Sequence, residues 1–220
     1  MQAAAVSLGM EPNGFDAYKP WALASTCGVL SLQDDTTGAN AMAIDVYINA
    51  YAVNAGKTID SVETYAFQGG IFDNLSPEYQ ETYLASGLLM AVDVNTVDQE
   101  TRDALVSVLG EEALEPATQE AIQAQVDQIS AMMETWKNRD VAGFEKIYNK
   151  EAILESDDEL NSKLFTDRDP GMIQYAADYL SQEGSHTGLM VVGAGHMVGD
   201  TGIVQGLIDQ GYTVEVVPNP

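Results

Sequence analysis

The chain has 220 residues, 45% of them hydrophobic, which suffices for one sizeable cooperative core and excludes a disordered chain. Its formal net charge of -25, from 34 acidic against 9 basic residues, repels phosphate backbones and anionic lipid and excludes nucleic acid as a partner. No stretch nears the roughly 18 apolar residues that cross a bilayer, so the chain reads as soluble, and its first ten residues lack the basic and apolar regions of a signal peptide.

Tyr18-Lys-Pro-Trp opens a helix, since proline fits a first helical turn, and Cys27 lies in the apolar run that follows as a small core residue. With one cysteine, no internal disulfide can form. After the turn-like Asp34-Asp-Thr-Thr-Gly a second helix spans about 39–55, and Gly56 stops it. The alternating Lys57-Thr-Ile-Asp-Ser-Val predicts a short strand that ends at Glu63. Ser76-Pro77-Glu78 is a helix start, with a serine cap, proline at the first position and an acid at the positive end of the helix dipole.

Beyond Pro116, Ile122, Val126, Ile129, Met133 and Trp136 recur at spacings of four and three, the stripe of a long helix facing a core. Shorter helices are predicted from Val141 and from Arg168, so residues 76–185 form a helical middle. The apolar run Leu189-Met-Val-Val reads as a strand covered on both faces that stops at Gly193-Ala-Gly-His. A helix from Asp200, with Ile203, Val204, Leu207 and Ile208 inward, and a last strand Tyr212-Thr-Val-Glu-Val-Val complete a βαβ unit with parallel strands. The expectation is one α/β domain over residues 1–220, a small mainly parallel sheet with a large helical insertion.

In such sheets, ligands collect beyond the carboxyl ends of the strands. Gly193 and Gly195 permit a tight turn that presents His196 at that rim, and a parallel strand before Glu63 delivers a carboxylate to the same opening. An imidazole and a carboxylate suit a divalent cation, or a base and its partner. Taken singly, His196 also reads as a structural loop residue and Glu63 as a solvated acid. Arg168 has two open readings: a guanidinium that clamps a substrate carboxylate or holds Glu63, and a local ion pair with Asp167 or Asp169. The glycines do not complete a dinucleotide fingerprint, and His186 reads as a surface residue.

The segment Val191-Val-Gly-Ala-Gly-His-Met-Val-Gly-Asp-Thr-Gly-Ile, continuing to Gly211-Tyr-Thr-Val, resembles the closing signature of the TraB/GumN family. Gly56-Lys-Thr-Ile-Asp-Ser-Val-Glu-Thr with Gln68, and Lys19-Pro-Trp, Asp45 and Thr166-Asp-Arg-Asp, resemble its other landmarks in the same order. That family includes the Tiki proteins, which are metal-dependent peptidases, and is related in fold to the erythromycin esterase and ChaN-like group. The resemblance implies a site of two Gly-x-x-His motifs, an acid and an arginine. His196 matches the second of those motifs, Glu63 the acid and Arg168 the arginine, and the first Gly-x-x-His is absent here.

The chain therefore reads as the C-terminal part of a longer protein, with an upstream segment or a second copy of the chain completing a half-site. The resemblance implies a metal-dependent hydrolase, inactive as this piece, in which Glu63 and His196 hold a divalent metal ion, and Glu63, His196 and Arg168 carry catalysis. Gly193, Gly195 and Arg168 would bind a peptide or small-molecule substrate. The alternatives are a non-catalytic domain that binds a small ligand or peptide in the same cleft, and a helical middle that serves assembly. The implied setting is extracellular or membrane-anchored for the full-length protein.

Overall fold

A computed structural model describes residues 11, 13–14, 17–31, 44–93, 95–115 and 118–217. The chain divides into two compact units, one of Met1–Tyr47 with Phe72–Pro116 and one of Ile48–Ile71 with Ala117–Pro220.

In the first unit, helix α1 (Pro20–Ser31) begins with proline in its first turn and packs along the later helix α4 (Pro77–Ala91). Gly87 permits that approach, because a Cβ there would lie 2.9 Å from the Ala24 Cα. Leu23, Cys27, Ala85, Leu88, Leu105 and Leu114 form the buried core, with Leu105 from helix α5 (Gln99–Leu109) and Leu114 from the 3-10 turn Glu111–Leu114. Burial pushes the Cys27 thiol up and keeps it protonated, as befits a core residue. Helix α4 starts as its sequence requires, with the Ser76 side chain accepting from the Tyr79 N–H.

The second unit holds most of helix α2 (Ile44–Asn54) and of helix α3 (Tyr65–Asp73), then α6 (Gln119–Lys137), α7 (Val141–Tyr148), α8 (Lys150–Leu154), α9 (Glu159–Thr166) and α10 (Asp169–Leu180). The one-turn α11 (Ala194–Met197) and α12 (Ile203–Asp209) follow, with α12 packed on α10. The start of the second predicted helix, residues 39–43, lies outside the described residues. Helix α3 follows Thr64, whose hydroxyl accepts from the Phe67 N–H, a start that the pair Gly69-Gly70 hides from a propensity reading.

The α/β expectation is overturned: among the described residues there is no strand, and the fold is mainly helical. Residues 57–62, 189–192 and 212–217 are irregular chain, and no backbone hydrogen bond joins one of these segments to another. Alternation and β-branching favour an extended backbone, but a strand exists only when a neighbour fills its N–H and C=O groups. Nor is the final apolar run covered on both faces, since Leu189 is 76% exposed. The expected βαβ unit reduces to α12 between two irregular segments. The predicted stripe on α6 also departs from expectation, because Val126, Ile129, Met133 and Trp136 are between 44% and 51% exposed. Among the described residues no helix is long and apolar enough to cross a membrane.

Candidate functional site

Glu63 precedes the cap of α3, and Gln68, one turn into that helix, reaches back so that its Nε2 donates to Glu63 Oε2 at 3.0 Å. Arg168 stands at the N-terminal cap of α10 and grips the same carboxylate. Its Nε donates to Oε1 at 3.1 Å and to Oε2 at 3.0 Å, and its Nη2 donates to Oε2 at 2.8 Å. Of the two readings of Arg168 in the sequence, the structure shows the one in which it holds Glu63. Burial pushes the Glu63 carboxyl up, and hydrogen bonds from Arg168 and Gln68, with the charge of Arg168, outweigh it and leave the group below the usual glutamate range. Arg168 and Asp169 are consecutive, so the residue that grips Glu63 adjoins the one that meets His196.

The next residue along, Asp169, points elsewhere. It is the first residue of α10, followed by Pro170, at the positive end of a 12-residue helix, and it is only 1% exposed. Asp169 Oδ2 accepts from Lys150 Nζ at 2.5 Å, and Asp169 Oδ1 lies 2.6 Å from His196 Nδ1. Lys150 is 4% exposed and His196 is 7% exposed, so this is a buried chain of cation, anion and imidazole. Lys150 Nζ also donates to the Val198 carbonyl at 3.1 Å and lies 4.8 Å above the centre of the Phe165 ring. Phe165 in turn meets the His196 ring edge-on at 5.3 Å. Burial, and after it the charge of Asp169, push the Tyr148 phenol up.

Local backbone geometry delivers these groups. Asn149 ends α7 in the left-handed conformation, at φ 49, and caps α8 through its side chain, which accepts from the Ala152 N–H. That reversal turns Lys150, the first residue of α8, inward. Gly195 is required by space and not by an unusual dihedral angle: a Cβ there would stand 2.5 Å from the Tyr148 hydroxyl, on a ring stacked 5.3 Å from Phe144. Gly193 has an ordinary backbone at φ -59 and ψ 141, and its carbonyl accepts from the His196 N–H at 3.0 Å. The tight-turn role expected of both glycines thus gives way, at Gly195, to close packing.

Helix starts, and no sheet rim, therefore bring Glu63, Arg168 and His196 into one neighbourhood. Lys150 escaped the sequence reading, and Asp169 entered it only as an ion-pair partner for Arg168, although an acid followed by proline marks a helix start there. His186 is exposed, with Nε2 2.9 Å from the Tyr179 carbonyl oxygen.

An apolar cleft of about 410 Å³ lies beside α11, lined by Trp136, Val141, Phe144, Met197, Val216 and Val217 among others. A more polar one, of about 570 Å³, is lined by Glu145, Lys150, Val198 and Gly199 among others. Glu63 and His196 line neither. For a divalent metal, His196 is a suitable donor, because a ring nitrogen held by a carboxylate is the usual arrangement behind a ligating histidine. Glu63 has its oxygens engaged by Arg168 and Gln68, and only the remaining lone pairs are available to a cation. No group of three or more His, Cys, Asp or Glu residues converges as a ligand set among the described residues.

A mainly helical unit whose histidine is fixed by a buried aspartate, beside a glutamate clamped by arginine, defines a class of polar site built at helix starts. The chain belongs to the TraB/PrgY/gumN family, which matches it over residues 1–216. No curated protein and no solved structure matches the chain.

Proposed function

We propose that the chain carries the histidine-bearing half of a metal-dependent hydrolase of peptidase type. The observation behind this reading is the 2.6 Å contact between Asp169 Oδ1 and His196 Nδ1, which aims the other ring nitrogen, Nε2, away from its buried anchor. Glu63, held by the residue that precedes Asp169, is the second donor proposed for the ion. A divalent ion there would supply polarisation of a carbonyl and a water nucleophile near neutral pH. Catalytic zinc takes three protein ligands, so the further donor would come from another segment or a second copy of the chain. In this arrangement Arg168 keeps Glu63 ionised and oriented, and its guanidinium would also steady a substrate carboxylate. An extracellular setting belongs to the same proposal.

The test is divalent metal content by mass spectrometry, with amide and ester turnover, on the chain alone and on protein extended by its upstream reading frame. Bound metal together with turnover that is lost in His196→Ala supports the hydrolase. Extended protein that binds no divalent ion sinks it. The apolar cleft beside α11 favours a second reading, a domain that holds an apolar ligand or peptide side chain without turnover. In that case Trp136→Ala, in the lining of that cleft, weakens binding while no hydrolysis is seen in any form.

A further inference from the structure

We propose that Lys150 and Asp169 are positioning residues that hold His196 in a single tautomer, with the proton on Nδ1 and a bare lone pair on Nε2. The use made of Nε2 rests on the hydrolase reading. The tautomer itself rests on buried geometry.

An ammonium has three donors and no acceptor, and a carboxylate only accepts. Around Lys150 Nζ stand Asp169 Oδ2 at 2.5 Å, the Val198 carbonyl at 3.1 Å and the face of Phe165 at 4.8 Å, a set of electron-rich partners that suits a cation. Salt-bridged in this way, Asp169 offers Oδ1 to the imidazole as an acceptor. Nδ1 must then be the donor, because two acceptors 2.6 Å apart would repel in a region where both side chains are at most 9% exposed. In the neutral ring the proton on Nδ1 leaves Nε2 without one. Nε2 has no partner among the described residues, so nothing there opposes this assignment.

The contribution of Lys150 is directional. By occupying Oδ2 it fixes which oxygen faces the ring, and by holding the Val198 carbonyl it ties down the chain two residues past His196. Asp169 sits 27 residues before His196 and Lys150 lies 19 before Asp169, so three separate segments set one proton.

The chain has two histidines, which makes the assignment direct. Nitrogen-15 spectra of the full chain at neutral pH, with His186→Gln identifying the remaining ring, read the protonated nitrogen. The expected wild-type spectrum has a protonated Nδ1 and a bare Nε2 in slow exchange. Asp169→Asn keeps the shape and offers an amide, and its expected spectrum exchanges the two shifts, because Nδ1 then accepts from the amide. Lys150→Met, which keeps the apolar stem, is expected to give averaged shifts from a mixture of tautomers. A wild-type ring protonated on Nε2, or an Asp169→Asn ring identical to wild type, overturns the role of Asp169, and an unchanged Lys150→Met spectrum overturns that of Lys150. No metal or substrate is needed, so extended protein that binds no divalent ion sinks the hydrolase, while the expected spectra still leave the positioning role standing.

Discussion

At Glu63 burial and pairing oppose each other, and pairing prevails. Because its folded pKa is depressed, the Arg168 pair contributes fully above the ordinary glutamate value of about 4.3, and the contribution is lost as pH falls through the folded value. Glu63→Gln is therefore expected to destabilise by about 1.5–3 kcal/mol at pH 7, the range for hydrogen bonds to charged groups. The deficit against wild type should shrink as pH drops below about 4. Urea midpoints measured from pH 7 to 3 check this, and a deficit that grows on acidification contradicts the pair. At this scale the sequence was legible where grammar is local. Arg168 begins a helix and His196 follows Gly-Ala-Gly, whereas Glu63, read as the end of a strand, stands just before a helix cap. Lys150 was not legible, because Asn-Lys-Glu also describes a solvated surface and its partner lies 19 residues away.

Among elements, the junction of α7 and α8 bears most on the site, since one asparagine ends the first helix and begins the second. A residue with a Cβ at φ 49 pays roughly 1–2 kcal/mol unless its side chain bonds locally, as asparagine does. Asn149→Ala should thus lose about 1–2 kcal/mol and loosen Lys150, while Asn149→Gly, free of the Cβ penalty, should lose only a few tenths. Thermal melts rank the two, and an alanine variant as stable as the glycine one defeats this account. Helices with explicit caps, such as α4 after Ser76-Pro77, were readable because their starts are local chemistry. Three segments patterned like strands did not pair, because Val and Ile favour an extended backbone, whereas a ladder depends on which other segment lies alongside. Exposed Val216 and Val217 show the same limit, since periodicity marks a face and does not say what covers it.

For the whole molecule, composition leads to expect one cooperative core, while contacts within the chain define two compact units. Their interiors differ in kind: the first rests on aliphatic packing around Leu23, Cys27 and Leu88, and the second buries the Lys150–Asp169 ion pair. Removing one partner of a buried pair strands a charge and costs about 3–5 kcal/mol, so Asp169→Ala should strike the second unit. Each unit contains one tryptophan, Trp21 in the first and Trp136 in the second, so Trp136→Phe and Trp21→Phe give separate fluorescence reporters. Asp169→Ala is expected to lower the transition seen by Trp136 and to leave that seen by Trp21 in place. Salt should act differently, because the charge of -25 belongs to the entire chain. Raising ionic strength from about 0.01 to 0.15 M shortens the screening length from roughly 30 to 8 Å, which relieves self-repulsion and should raise both transitions. If Asp169→Ala moves both reporters together, the units unfold as one cooperative structure and the separation of cores fails. If salt moves neither, the excess acidity does not strain the fold.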